Sequence, residues 1–194
     1  DPELLAVGDE KVQAFLTQDA ELATFRPVLD NILRQRRHTL TQAEEKVIAR
    51  TGAMAEAPGD LYEMFTSAEM RFPEIELSTG KKVRLDQAAY GLHRASAVRS
   101  DRLAVFQSFW KTWQDFRSTL GLALFNRVKS HVINKELRGY ESSLAAALDN
   151  YNIPASVYHQ LVKDVNANLP TLHRYLRLRQ RMLGVEKLGY EDLY

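Results

Sequence analysis

The chain contains no cysteine in its 194 residues. Disulfides, thiolate metal sites and a cysteine nucleophile are thereby excluded, and the composition agrees with a cytoplasmic setting. An excess of charge of one sign is missing as well. Against 26 basic residues stand 25 acidic ones, so the formal net charge is +1 and no global field draws in nucleic acid or an acidic membrane surface. Any such partner must be recruited locally. No stretch matches a glycine-rich phosphate loop or a Gly-x-Ser-x-Gly elbow, and there is no repeat of fixed period, low-complexity segment, signal peptide or lipidation motif. The five histidines, His38, His93, His131, His159 and His173, include no two at a spacing of three or four, and the string His-Glu-x-x-His is absent. A zinc endopeptidase site needs two imidazoles one helical turn apart with a glutamate between them, so none is assembled locally here. Glu44-Glu45 and Glu74/Glu76 come nearest to paired carboxylates. The first pair is accounted for by helix capping and the second by the exposed face of a hairpin, so no residue is assigned a catalytic or metal-binding role.

What is present is a large apolar content, 45% of the residues, and one dominant stretch from Ser100 to Gly139. Ser100 and Asp101 are good N-cap residues, Gly139 is a left-handed stop, and no proline intervenes. The pattern predicts a single helix of about 38 residues, roughly 57 Å long. Leu103, Phe106, Trp110, Trp113, Leu120, Leu124 and Val128 form one apolar row. Val105, Phe109, Phe116 and Ala123 form a second beside it, so two neighbours are expected. Gln107, Lys111, Gln114 and Ser118 mark a wet face, which argues against a membrane span.

Residues 1–70 read as a helical lead-in. Val12, Phe15, Leu16 and Leu22 support brief helices, Val28, Ile32 and Leu33 another that ends in Arg34-Gln35-Arg36-Arg37. Thr41 with Glu44 is a capping box for a helix over 42–57, with Pro58-Gly59 as its end and a further helical pattern to Met70. Over 71–99 the period shifts to two: Ile75/Leu77 and Val83/Leu85 across Ser78-Thr79-Gly80-Lys81 predict a β-hairpin, and Asp86 caps a short helix. Within 100–194 the long helix is followed by a short one at Leu144–Leu148, a turn at Asn150–Pro154, a helix ended by Pro170, and a last helix from Leu172 to Leu183 stopped by Gly184. The predicted fold class is all-α, a helical array around one long central helix, with a single small β-hairpin.

The sharpest charged feature lies on that last helix. Arg174, Arg177 and Arg181 fall at i, i+3 and i+7, the spacing a single anion-binding strip requires, and could contact a phosphate or a peptide carboxylate. The plainer alternative is a solvated or salt-bridged face. A nucleic-acid-binding module is the rival this strip raises, and it lacks the interleaved aromatic residues that single-strand binding needs.

Three strings, Arg37-His38-Thr39-Leu40-Thr41-Gln42-Ala43-Glu44-Glu45-Lys46, Phe72-Pro73-Glu74-Ile75 and Arg138-Gly139-Tyr140-Glu141-Ser142, resemble oligoendopeptidase F. The strings Asn152-Ile153-Pro154, Leu172-His173-Arg174-Tyr175-Leu176-Arg177-Leu178-Arg179 and Tyr190-Glu191-Asp192-Leu193-Tyr194 continue the likeness in order, so it covers nearly the whole chain. In that family, related to thimet oligopeptidases, a helical shell surrounds a deep cleft, and zinc held by His-Glu-x-x-His and a downstream glutamate hydrolyses internal bonds of short peptides. The resemblance therefore implies a cytoplasmic zinc metallopeptidase of which this chain is the N-terminal, cleft-forming wall. It implies a C-terminal catalytic half of the same polypeptide as partner, short peptides as substrates, and no nucleic acid or membrane partner. It transfers no catalytic residue to any position, so the chain alone is expected to bind no zinc and to be inactive. The absence of an initiator methionine and the stop at Tyr194 suggest a piece of something longer. On that expectation Val128, Val132, Tyr158, Leu161, Tyr175 and Leu178 are exposed, and the isolated piece self-associates to cover them. The competing reading is a non-catalytic helical interaction scaffold with no such surface.

Overall fold

The computed structural model describes residues 2–194. Nine α-helices are described: α1 Pro2–Val7, α2 Asp9–Gln18, α3 Arg26–Arg34, α4 Gln42–Met64, α5 Gln87–His93, α6 Arg99–Asp115, α7 Arg117–Leu137, α8 Ser143–Asp149 and α9 Ala155–Leu183. Two strands, β1 Glu74–Glu76 and β2 Lys82–Arg84, pair antiparallel with Ile75 opposite Val83. The fold class is all-α with one hairpin. The chain divides into two compact units, one made of residues up to Gly59 with Phe125–Leu161, the other of Asp60–Leu124 with Val162–Tyr194.

Several ends are set by the side chains that the sequence marks. The Thr41 backbone N–H donates to Glu44 Oε2 at 3.0 Å while the Glu44 N–H donates to Thr41 Oγ1 at 3.4 Å, closing the capping box at the start of α4. Asp86 accepts from the Ala89 N–H at 2.9 Å and opens α5. Ser142, which spacing did not single out, accepts from the Ala145 N–H at 2.9 Å and opens α8. Gly139 sits at φ 66°, its N–H reaching the Glu136 carbonyl and the Tyr140 N–H the Lys135 carbonyl, so the C-terminal turn of α7 closes as a Schellman motif that a Cβ would strain.

Three sequence expectations are corrected. The stretch from Ser100 is two helices, since Phe116 leaves the helical basin at φ −105°, ψ 14°, and its N–H turns to the Trp113 carbonyl three residues back. Thr112 Oγ1 bonds the Ser108 carbonyl just before, and the Phe116 ring meets Phe65 edge-on at 4.8 Å. Nor do Ser100 and Asp101 cap it. The N-cap is Val98, and the buried Asp101 accepts from the Ser78 backbone N–H and Oγ, both at 2.8 Å, tying the hairpin turn to α6. Finally, neither Pro58 nor Pro170 ends a helix: α4 runs on to Met64 and α9 to Leu183. Each proline removes one hydrogen bond, to the carbonyls of Met54 and Asn166, which lie on exposed turns open to solvent.

In the second unit Leu85, Tyr90, Val105 and Phe109 are buried together, with Phe72, Ile75, Leu77, Ala89 and Trp113 packed on them. Phe109 stacks between Tyr90, at 4.1 Å, and Phe72, at 5.5 Å. The row of Val105 and Phe109 is therefore the interior one, whereas Trp110, Leu124 and Val128 of the other row are exposed. In the first unit the buried side chains are Val12, Leu16, His38 and Ala146.

All six residues expected at the surface, Val128, Val132, Tyr158, Leu161, Tyr175 and Leu178, are exposed. They belong to a larger excess. The accessible surface is 14278 Å². A compact monomer of 22.2 kDa exposes roughly 9,400 Å², and two separate compact halves of that mass roughly 11,300 Å². Helices α4, α7 and α9 bury no residue at all.

Candidate functional site

The three arginines singled out by spacing are brought onto one exposed strip of α9, and none of their side chains makes an ion pair or hydrogen bond among the described residues. The reason is compositional. From Val165 to Val185 the sequence holds no aspartate or glutamate, so no carboxylate lies one turn away on the same helix. One residue along, Tyr175, Leu178 and Met182 repeat the same i, i+3, i+7 spacing, with exposures of 51%, 47% and 77%. The fourth arginine of the cluster, Arg179, faces elsewhere: its Nε donates to the Asp192 carbonyl at 2.6 Å.

Asp192 is the centre of a knot that spacing alone did not reveal. Its carboxylate is fully buried and accepts four hydrogen bonds, from Arg99 Nε at 3.1 Å and Nη2 at 3.0 Å, from Arg102 Nη2 at 2.9 Å, and from the Gly189 N–H at 3.1 Å. The Arg99 fork, more than the cost of burial, holds this carboxyl far below the usual carboxylate range. Arg102 is itself buried and donates further to the Ser96 and Ala97 carbonyls.

A second knot lies in the other unit. Arg138 grips Glu45 with both terminal nitrogens, at 2.8 and 2.9 Å, and donates to the His38 carbonyl at 3.0 Å. That grip lowers the Glu45 carboxyl below its ordinary value. His38 returns the contact, its Nδ1–H donating to the Arg138 carbonyl at 2.8 Å, and its ring stacks on Tyr140 at 3.6 Å. Tyr140 in turn donates to Asp149 at 2.8 Å, and burial together with that bond pushes its hydroxyl up to about 12. For Asp149 burial works upward, but the Tyr140 and Arg34 hydrogen bonds outweigh it and the carboxyl lies below its usual value. His38, Glu45, Arg138 and Tyr140 line a polar cavity of about 560 Å³, and the buried Nε2 of His38 is left without a partner among the described residues.

Neither knot has a nucleophile beside a free base. Among the described residues no three of His, Cys, Asp and Glu come together in an arrangement that could hold a metal ion. No helix of the described residues is long and apolar enough to cross a membrane. What the two knots do is clamp segments far apart in sequence, and what the strip offers is cation.

Comparison with known proteins gives these features a family. Residues 3–72 match the model described as Oligopeptidase F, and residues 92–194 match Peptidase family M3. The chain belongs to peptidase family M3. Over its whole length it is 32% identical to group B oligopeptidase PepB of Streptococcus agalactiae, covering 32% of that protein. It is 29% identical over 193 residues to oligopeptidase PepF of Bacillus subtilis, covering 29% of that protein. Among solved structures, oligoendopeptidase-F from Enterococcus faecium superposes on all of this M3 chain with a TM-score of 0.95 at 35% identity, over 38% of its own length. A putative peptidase from Chlamydophila abortus matches with a TM-score of 0.89 at 27% identity, over 32% of its length. The chain thus spans about a third of the length of the relatives it matches.

Proposed function

We propose that this chain is the N-terminal, cleft-forming part of an oligoendopeptidase F-like zinc metallopeptidase that hydrolyses internal bonds of short peptides. The observation that carries the reading is the full-length superposition on an oligoendopeptidase F at a TM-score of 0.95. The order of the two family matches along the chain supports it. Residues 1–194 form the helical wall of the substrate cleft, and the partner is a C-terminal catalytic half of the same polypeptide. Zinc, where bound, supplies an activated water for attack on the peptide carbonyl, and its ligands belong to that half. The wall's part is steric: it narrows the cleft so that short peptides enter and folded proteins do not. The surplus exposed area fits a large partner, since several thousand Å² beyond what compact units expose is unusual for a chain that works alone. A cytoplasmic location goes with the absence of cysteine.

The test begins with the reading frame that encodes this chain. A His-Glu-x-x-His motif is expected downstream of Tyr194. The complete product is expected to cleave quenched-fluorescent peptides internally and to lose that activity with a chelator, while residues 1–194 alone leave the same peptides intact. A complete product without the motif, or one with no cleavage of any short peptide, overturns the reading and leaves the helical scaffold in its place.

A further inference from the structure

We propose that the apolar seam of α9 over residues 162–183 is an interior face of a helical domain, packed lengthwise against two helices that the C-terminal part of the same polypeptide supplies. The proposal rests on the peptidase reading above and adds to it the surface that is met and the kind of structure that meets it.

Val162, Val165, Leu169, Leu172, Leu176 and Leu183 recur at alternating steps of three and four, with Arg179 in the remaining place. The alternation runs without a slip over about 32 Å of helix. It is the period of about 3.5 residues by which one helix lies along another, not the two-residue period that an extended segment presents. Val162, Val165, Leu172 and Leu183 are exposed, Leu169 and Leu176 are half-buried, and α9 buries no residue. Arg179 is already used, its Nε donating to the Asp192 carbonyl at 2.6 Å. The whole seam belongs to one compact unit.

The flanks identify what lies against it. On one side stand Asn166, His173 and Gln180, on the other Asn168, Tyr175 and Met182, with no Asp, Glu, Lys or Arg among them. A pair of helices standing in water carries charges at these places, which bridge the two and choose the partner. Tyr175 and Met182 instead widen the apolar stripe to that of a helix facing a core, which touches two neighbours. A second copy of α9 brings one helix and leaves that extra row in water. The charges sit behind: Lys163, Arg174, Arg177 and Arg181 are exposed on the opposite side, and so is Pro170, whose ring leaves the packing face uninterrupted. The arginine strip is thus the wet back of a packed helix. Residues 92–194 match Peptidase family M3, and the chain covers about a third of its relatives, so the remainder of such a protein is long enough to furnish both helices.

The lack of cysteine in this chain makes the test direct. Single substitutions Val165→Cys and Leu172→Cys on the seam, and Arg174→Cys and Arg181→Cys behind it, are made in the complete product and in the 194-residue chain. Alkylation by N-ethylmaleimide is timed at submicromolar protein, with the unsubstituted protein as blank and circular dichroism as the check of folding. In the complete product the seam thiols are expected to react about a hundredfold more slowly than those behind, because they open only when the helix lifts away. In the 194-residue chain all four are expected to react within about threefold of one another. A benzophenone attached through Leu172→Cys in the complete product is expected to cross-link to two separate segments downstream of Tyr194, each with apolar residues at steps of three and four. Hydrogen exchange needs no variant: the amides of 162–183 should exchange at least about tenfold more slowly in the complete product than in the 194-residue chain. Equal reactivity of seam and back in a complete product that cleaves peptides, cross-links to a second copy or to one downstream segment alone, or unchanged exchange each overturn the proposal. The peptidase reading fails separately, by a missing zinc motif or absent cleavage, neither of which is read from these rates.

Discussion

Replacing Asp192 by asparagine changes one atom type at the centre of the Arg99–Arg102 knot. The asparagine oxygen still accepts two hydrogen bonds, but its NH2 group must face two donors, either the Arg99 and Gly189 nitrogens now bonded to Oδ2 or the Arg99 and Arg102 nitrogens now bonded to Oδ1. Arg102, nearly inaccessible to water, is left as an uncompensated buried charge whose Nε already lacks a partner. Breaking a buried pair this way costs about 3 to 5 kcal/mol. The lower end applies, because Arg102 keeps its bonds to the Ser96 and Ala97 carbonyls and Arg99 is half exposed and can turn to water. About 3 kcal/mol at a urea dependence of about 2 kcal/mol per molar lowers the midpoint by about 1.5 M. Trp110 and Trp113 are the only tryptophans and share the unit that holds the knot, so their fluorescence during urea unfolding reads it directly. The pH dependence supplies an independent check. Because the folded carboxyl is held far below its unfolded value, its contribution is present above the ordinary aspartate range near pH 4 and fades as pH falls through and below that range. The gap between wild type and Asp192→Asn should therefore be full at pH 7 and shrink steadily below about pH 4. A midpoint shift under about 0.5 M at neutral pH, or a gap that does not narrow in acid, would refute the assignment of the knot as a stabilising buried pair.

Phe109→Ala removes a ring that is 4% exposed between Tyr90 and Phe72, and is expected to cost about 3 to 5 kcal/mol in the same urea assay, whereas Trp113→Ala, at a half-buried position, costs less. Glu45→Gln loses the two-pronged Arg138 contact, itself a quarter exposed, and should destabilise by about 1 to 2 kcal/mol, read by far-ultraviolet circular dichroism. Pro170→Ala restores a mid-helix donor to the Asn166 carbonyl and should raise stability by about 1 to 3 kcal/mol; a loss would show that α9 requires the proline. The exposed set including Val128, Leu161 and Tyr175 should drive self-association of the isolated chain, and light scattering giving a monomer at high concentration would count against it.

Caps and turns were the most legible part of the fold, because each rests on a local rule. Thr41–Glu44, Asp86, Gly139 and the Gly80 turn of the hairpin all stand where their side chains, or lack of one, require. Local rules also misled. Pro58 and Pro170 read as stops, yet one lost hydrogen bond on an exposed turn does not outweigh the many others that propagate a long helix. The split at Phe116 depends on a ring contact with Phe65, fifty-one positions away, which periodicity does not see. Which apolar row faces inward was equally undecided by spacing, since both rows have helical period and only the hairpin and α5 select Val105 and Phe109. Of the candidate residues, the shared exposed face of Arg174, Arg177 and Arg181 was legible from their spacing. The two knots were not, because their members lie about ninety to a hundred residues apart. Some of their members stand in the strings that carried the family resemblance, His38 and Glu45 in one, Arg138 and Tyr140 in another, and Asp192 in the last, whereas Arg34, Arg99, Arg102 and Asp149 lie outside them.

Neither compact unit is a continuous stretch of chain. The path leaves the first unit within α4, re-enters it within α7 and leaves again within α9, each time in mid-helix and not in a loop. No single cut can therefore release either unit, and a deletion from either end removes part of one while stranding its remaining segment between pieces of the other. A protease that finds the loop at Ser142 or the hairpin turn at Gly80 nicks the protein without dissecting it. Attempts to express half of this chain as a smaller, better-behaved piece should fail for that reason alone.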